Sequence, residues 1–282
     1  NESGVGVEKE AERLLDSALP SLIAVDGGPL LHDIIEYIAW ISLLLDANTA
    51  SLSPIARNAV DRARPFLSML LNQDMTYCVA PKQKPYAEII KTTPMRLAPA
   101  TGVARLQAGK TNLISVPQHL GGQTAIHISS YSHCLFSANH FQHDASEAHA
   151  QTAATSSSSD EGQLLQQSIG PFARTVFLSP KGAALRIEDQ VPQDQLKRWM
   201  RLQFNPNAKI SVARNGSVAT IAIDGRNSWS LSLRGGRILP IQHKDQVIIE
   251  TTTNGGRINW ALKRVARSIN RSERPDIPEL PF

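Results

Sequence analysis

The hydrophobic positions of this 282-residue chain change period near residue 75. Before that point they recur at helical spacing. From Glu8 to Leu19, the residues Ala11, Leu14, Leu15, Ala18 and Leu19 share one face, and Pro20 is expected to end the helix. After the turn "VDGGP", the run from Leu30 to Leu45 is apolar on most sides, as in a helix packed between others. A third helix opens with Ser53 as N-cap and Pro54 at its first position, then carries Ile55, Ala59, Ala63, Phe66, Leu67 and Leu70. Pro65 should bend or interrupt it.

Beyond residue 75 the period becomes two. Eleven segments, among them "TNLISV", "AIHISSYSHCLFSA", "RTVFLSP", "VATIAID" and "RINWALKRV", read as strands separated by Gly, Pro or Asn turns. That many short strands at this spacing predict a large antiparallel β-sandwich. The serine-rich segment 150–163 offers no apolar face and is expected to be a mobile loop. The fold class is therefore α+β, helices first and sandwich second. The chain divides into a helical segment (1–75), the sandwich (76–270) and a proline-rich tail (271–282).

Composition adds constraints. A hydrophobic fraction of 41% with 19% charged residues describes a globular chain rather than a disordered one. The net charge of +4 suits an anionic polymer, but no basic stretch interleaves with aromatics, which argues against nucleic acid. No apolar run reaches the ~18 residues of a membrane span. Cys78 and Cys134 have neither CxxC partners nor zinc-ligand spacing and read as free, buried thiols. The start "NESGVGVEKEAE" lacks an initiator Met and a signal pattern, as expected of a processed or truncated piece of something longer.

Several stretches, taken in order, resemble the C-terminal half of the heparinase II/III-like family. These are "VDGGPLLHDIIEYIAWISLLLD", "ARTVFLSPKGAALRIEDQV", "RWMRLQFNPNAKISV", "WSLSLRGGRI" and "QVIIETTTNGGRINWALKRV". The resemblance covers roughly residues 8–265. It implies the closing helices of an incomplete α/α toroid ahead of the sandwich. It also implies a polysaccharide lyase that cleaves next to a uronic acid by β-elimination, with the bacterial periplasm or cell envelope as its setting. Such chemistry neutralises the uronate carboxylate, removes the C5 proton and protonates the leaving oxygen. The alternative is a non-catalytic relative that binds an acidic envelope polysaccharide.

The resemblance places the catalytic groups on a Tyr after the aspartate–glycine turn and a His on an early strand. Ten residues after Asp26 this chain has Glu36, with Tyr37 one position on. Tyr37 either faces the groove in a shifted register or packs between helices with its hydroxyl tied to a neighbour. His32, six residues after Asp26, is a second candidate base or carboxylate neutraliser. Residues 126–149 hold five of the eight histidines, and His127 takes the family position. Unbroken alternation would put Ser129, Tyr131, His133 and Leu135 on its face. Arg57, Arg62 and Arg64 are candidates for uronate contact, since Arg pairs bidentately with carboxylates. His140, His143 and Asp144 are the candidate ligands of a structural zinc; the reaction itself requires no cofactor. Oligomeric state is not legible in the sequence.

Overall fold

The computed structural model describes residues 2–30, 33–46, 52–79, 82–117, 125–131, 133–140, 152–169, 172–191, 198–224, 227–239, 246–251 and 256–265. Three helices come first: α1 (Glu2–Leu22), α2 (Ile34–Asp46) and α3 (Pro54–Met69). Ser53 caps α3 by accepting the Ala56 N–H at 3.1 Å, and its own hydroxyl donates to Asp16 of α1. The prolines act more weakly than expected. Helix α1 runs two residues past Pro20, and α3 continues through Pro65. Tertiary packing of the apolar faces outweighs the one lost N–H at each. A one-turn helix, α4 (Ala87–Lys91), was not anticipated.

Sixteen antiparallel strands follow among the described residues. The first sheet has the order β1 (Leu97–Ala98), β2 (Val103–Ala108), β3 (Thr111–Val116), β4 (Ala125–Ser130), β5 (His133–His140), β10 (Arg198–Phe204), β15 (Gln246–Thr251) and β14 (Gly236–Ile238). The second has the order β11 (Lys209–Val212), β12 (Val218–Asp224), β13 (Asn227–Arg234), β16 (Gly256–Val265), β9 (Ala184–Val191), β8 (Phe172–Leu178), β7 (Gly162–Ile169) and β6 (Thr152–Ser159). Leu106, Leu113, Ile128, Phe136, Leu202, Val176, Ile187, Trp229 and Trp260 pack between the sheets.

Two expectations are corrected. The serine-rich segment is a hairpin: Thr152–Ser159 pair residue by residue with Gly162–Ile169. Its residues 155–161 are exposed, as composition demands, but the ladder needs only backbone groups on one side. The stretch 125–138 is two strands rather than one, because Tyr131 adopts φ 52 and reverses the chain. The proline-rich tail 271–282 lies outside the described residues.

The first sheet is buried on both faces at β3, all six of whose residues are buried. Its outer face meets the helices: Val103, Ile114 and Val116 join Ile38, Ala59, Phe66 and Leu67 in a second core. Two side-chain amides of β7 bind the two sheets together. Gln163 donates to the Gln107 carbonyl at 2.7 Å and accepts the Gln107 N–H at 2.9 Å. Gln167 donates to the Gly102 carbonyl at 2.8 Å and accepts from Ser115 at 2.7 Å.

Inside the second sheet, Arg174 and Asp189 form a buried bidentate pair at 2.6 and 3.0 Å, and the Trp260 indole donates to Asp189 at 3.1 Å. The acid of the "ALRIED" strand therefore satisfies a buried cation and a buried indole at once. Asp189→Ala is expected to lower stability by about 3–5 kcal/mol, because it strands the Arg174 charge. Asp189→Asn, which keeps an acceptor, should cost less. Urea unfolding of the two variants checks the order; equal losses would contradict it.

Candidate functional site

The helices are fixed to the sandwich by the aspartate–glycine–glycine turn. The Asp26 carboxylate accepts backbone N–H groups from Gly28 (3.2 Å), Ala100 (2.8 Å) and Thr101 (3.3 Å). Gly27 has φ +81, and a Cβ there would lie 2.0 Å from the Arg62 carbonyl; one on Gly28 would lie 2.6 Å from the Thr101 methyl. Both glycines are thus required by sterics. Arg105 of β2 makes a second tie, donating to the carbonyls of Ser68 (3.2 Å) and Met69 (3.4 Å) at the end of α3. A cation suits a helix C-terminus.

His127 lies on the sheet face turned toward the helices. Its neighbours Ile126 and Ile128 point into the inter-sheet core, and its cross-strand partner Ile114 belongs to the helix-side core. The same row continues to Arg105 on one side and Ser137 on the other. Two strand spacings put Arg105 and His127 about 10 Å apart. The next row holds Gln107, Asn112, Ser129 and Cys134. A bulge leaves Leu135 unpaired, so Leu135 and Phe136 both enter the inter-sheet core. Of the residues expected to share the face of His127, only Ser129 does so within an unbroken strand.

Polar atoms concentrate here without partners. His127 Nε2, Ser129 Oγ and both side-chain polar atoms of Asn112 are buried and make no hydrogen bond among the described residues. Buried polar groups are normally paired, so this cluster is where a ligand's or a water's complementary groups would be held. Burial lowers the His127 pKa to about 4, so the half-buried ring is neutral at pH 7. Cys78 and Cys134 are free and half-buried. Burial first, then Asp74, pushes the Cys134 thiol up to about 11; burial also raises Cys78, which feels Cys134 and Arg105 nearby.

The other candidates are placed differently. Tyr37 is buried and its hydroxyl donates to the Gly27 carbonyl, with its ring edge-on to Phe66 at 5.9 Å. Burial raises its pKa strongly, with Arg62 and Asp26 acting as smaller opposing influences. Arg62 donates to the Ala24 carbonyl at 3.4 Å, and Arg64 pairs with Asp61 at 3.1 Å. Arg57 donates to the Leu52 carbonyl at 3.3 Å. Tyr37, Arg62 and Asp26 thus gather at the glycine turn, whereas His127 stands in the row of Arg105. His32, His143 and Asp144 lie outside the described residues, and His140 ends β5. Among the described residues no three His, Cys, Asp or Glu side chains converge as metal ligands.

Sequence reasoning missed Arg105, Asn112 and Tyr77, whose buried hydroxyl also has no partner. For Arg105 and Asn112 the signal was polarity inside short apolar strands, "VARLQA" and "TNLISV".

This two-sheet architecture with helices on one face is similar to solved lyase structures. The heparan sulfate lyase HepC mutant from Pedobacter heparinus superposes with a TM-score of 0.53 at 9% identity, over 90% of this chain and 55% of that one. A heparinase III gene product with methylated lysines gives 0.51 at 12% identity, over 91% and 55%. A further heparinase III structure gives 0.50 at 10%, over 90% and 57%. The chain has a heparinase-like fold. It spans little more than half the length of these lyases. No family model and no curated protein sequence matches it.

The lowered His127 pKa sets a pH dependence. The native state resists protonation that the unfolded state accepts near pH 6.5, so this contribution is complete above that pH and is lost as pH falls toward 4. Relative to His127→Gln, the parent should therefore lose on the order of 2–3 kcal/mol between pH 7 and pH 4, read from urea midpoints: the two agree most closely at neutral pH and separate as pH falls. Parallel pH profiles would refute a buried neutral ring.

Proposed function

We propose that the chain is a polysaccharide lyase-like protein whose helix-facing sheet surface acts on a uronic-acid-containing polysaccharide by β-elimination. One observation carries the reading: His127 offers a neutral, unpaired Nε2 on that face, two strands from the Arg105 guanidinium. A neutral imidazole accepts a proton; it cannot neutralise a carboxylate. That second task falls to a permanent cation, and Arg105 is the one in the row. Burial makes His127 a weak base in the free protein. A uronate beside the ring would raise its proton affinity, so substrate binding itself would ready the base.

A specific observation favours the second reading, an acidic-polysaccharide binder without lyase activity. The Tyr37 phenol, which the family resemblance implies as a catalytic group, is committed to Gly27 and held protonated by burial. Elimination then has no phenolate base from that position, and the phenol's proton is engaged by the Gly27 carbonyl.

New unsaturated uronate ends absorb near 232 nm, and assays on alginate, heparan sulfate and hyaluronan separate the two readings. The lyase reading expects a rising signal on at least one polymer, and His127→Ala should lower the rate by about 100-fold or more with unfolding unchanged. Binding of a polymer without any rise would select the binder.

A further inference from the structure

At the hairpin end of the sandwich, four residues along the chain from His127, stands Tyr131. It is one of only two non-glycine residues with positive φ among the described residues, at φ 52, and the residue is 43% exposed. Both features are unfavourable for a tyrosine in a turn where glycine would serve. Its backbone N–H is anchored on the Lys110 carbonyl at 3.1 Å.

The Arg264 guanidinium of β16 sits 4.8 Å from the Tyr131 ring centre and 5.1 Å from that of the buried Trp229. Its hydrogen-bond partners are hydroxyls: Tyr131 at 3.2 Å, Thr111 at 3.3 Å and Ser130 at 3.3 Å. No carboxylate pairs with Arg264 among the described residues. Exposed Lys110 and Lys181 occupy the adjoining turns, where Thr111 donates to the Gly182 carbonyl at 2.7 Å and joins the two sheets. Among the described residues of the second sheet, the acidic residues of this end are Asp224, which closes β12 two strands from β16, and Asp160 and Glu161 in the β6–β7 turn three strands from it.

We infer that Tyr131, Arg264, Lys110 and Lys181 form a second contact surface for an acidic polysaccharide. The tyrosine presents an apolar ring for the C–H face of a pyranose. The arginine and lysines receive the carboxylate or sulfate that the same sugar carries. The arginine's charge is already partly desolvated against two rings and has no carboxylate partner among the described residues. One exposed ring beside an arginine, with lysines in the adjoining turns, fits a saccharide; single-stranded nucleic acid calls for a series of stacking rings along a basic groove. The surface shares its ligand class with the proposed function but none of its residues.

The test is affinity electrophoresis of the 282-residue chain through gels containing alginate, dextran sulfate or neutral dextran, at low salt. Retardation is expected on alginate, dextran sulfate or both, which identifies carboxylate or sulfate as the anion, and none on neutral dextran. Tyr131→Gly removes the ring while relieving the backbone, so its thermal midpoint should hold or rise by a few degrees. Its dissociation constant should weaken about five-fold or more, as should that of Lys110→Ala/Lys181→Ala. A chain that releases no unsaturated ends yet shows Tyr131-dependent retardation refutes the lyase reading alone. Unaltered retardation in both the Tyr131 and the lysine variants overturns this surface. So does an absence of retardation on both charged polymers, or Tyr131-dependent binding to a DNA oligonucleotide tighter than to either of them.

Discussion

The Asp26 carboxylate is the contact on which the arrangement of this protein turns. It accepts three backbone N–H groups, one from its own turn and two from the loop that leads into β2. That single side chain decides where the helices rest on the first sheet. With the helices in place, the outer face of β3 and β4 becomes interior, Ile114 and Val116 find apolar neighbours, and His127 loses most of its water. Every electrostatic property of the candidate site follows from that covering. The same ring on an uncovered sheet would titrate near its ordinary value and hold no special proton affinity.

The elements with a strong period were readable from the chain. The three helices and most central strands fall where alternating or helical patterns put them, since burying one face is what those patterns encode. The misreadings share a cause. Thr152–Ser159 has no apolar face, so its pairing with β7 leaves no trace in hydrophobicity. The Tyr131 reversal is made by a residue that turn chemistry does not favour. Pro20 and Pro65 are local breakers outvoted by packing. The site was half legible: the family resemblance pointed to His127, and alternation placed it opposite the two isoleucines. Alternation also placed Ser129 on its face, but Arg105 and Asn112 come from pairing register between strands, which no single segment reveals.

Two buried tyrosines illustrate how location overrides residue type. Tyr37 and Tyr77 are both buried in the helix-side core. One hydroxyl is bound to the glycine turn and serves as a strut; the other has no partner among the described residues. Burial keeps both phenols protonated at ordinary pH, so neither is a ready base. On this sheet face the group able to take a proton is the neutral imidazole.

The Gln163 amide has a consequence for how the molecule behaves in company. Strand β1 covers only the first two residues of β2, leaving the backbone groups of Gln107 with no strand beside them. A bare stretch of this kind is a template on which another polypeptide can add itself, and chains with such edges tend to join one another. The side-chain amide carries one donor and one acceptor in the same spacing as a peptide group, and it occupies both backbone positions. A glutamine from the opposite sheet thereby imitates the missing neighbour strand. It gives this border of the sandwich protection against self-association without lengthening the sheet.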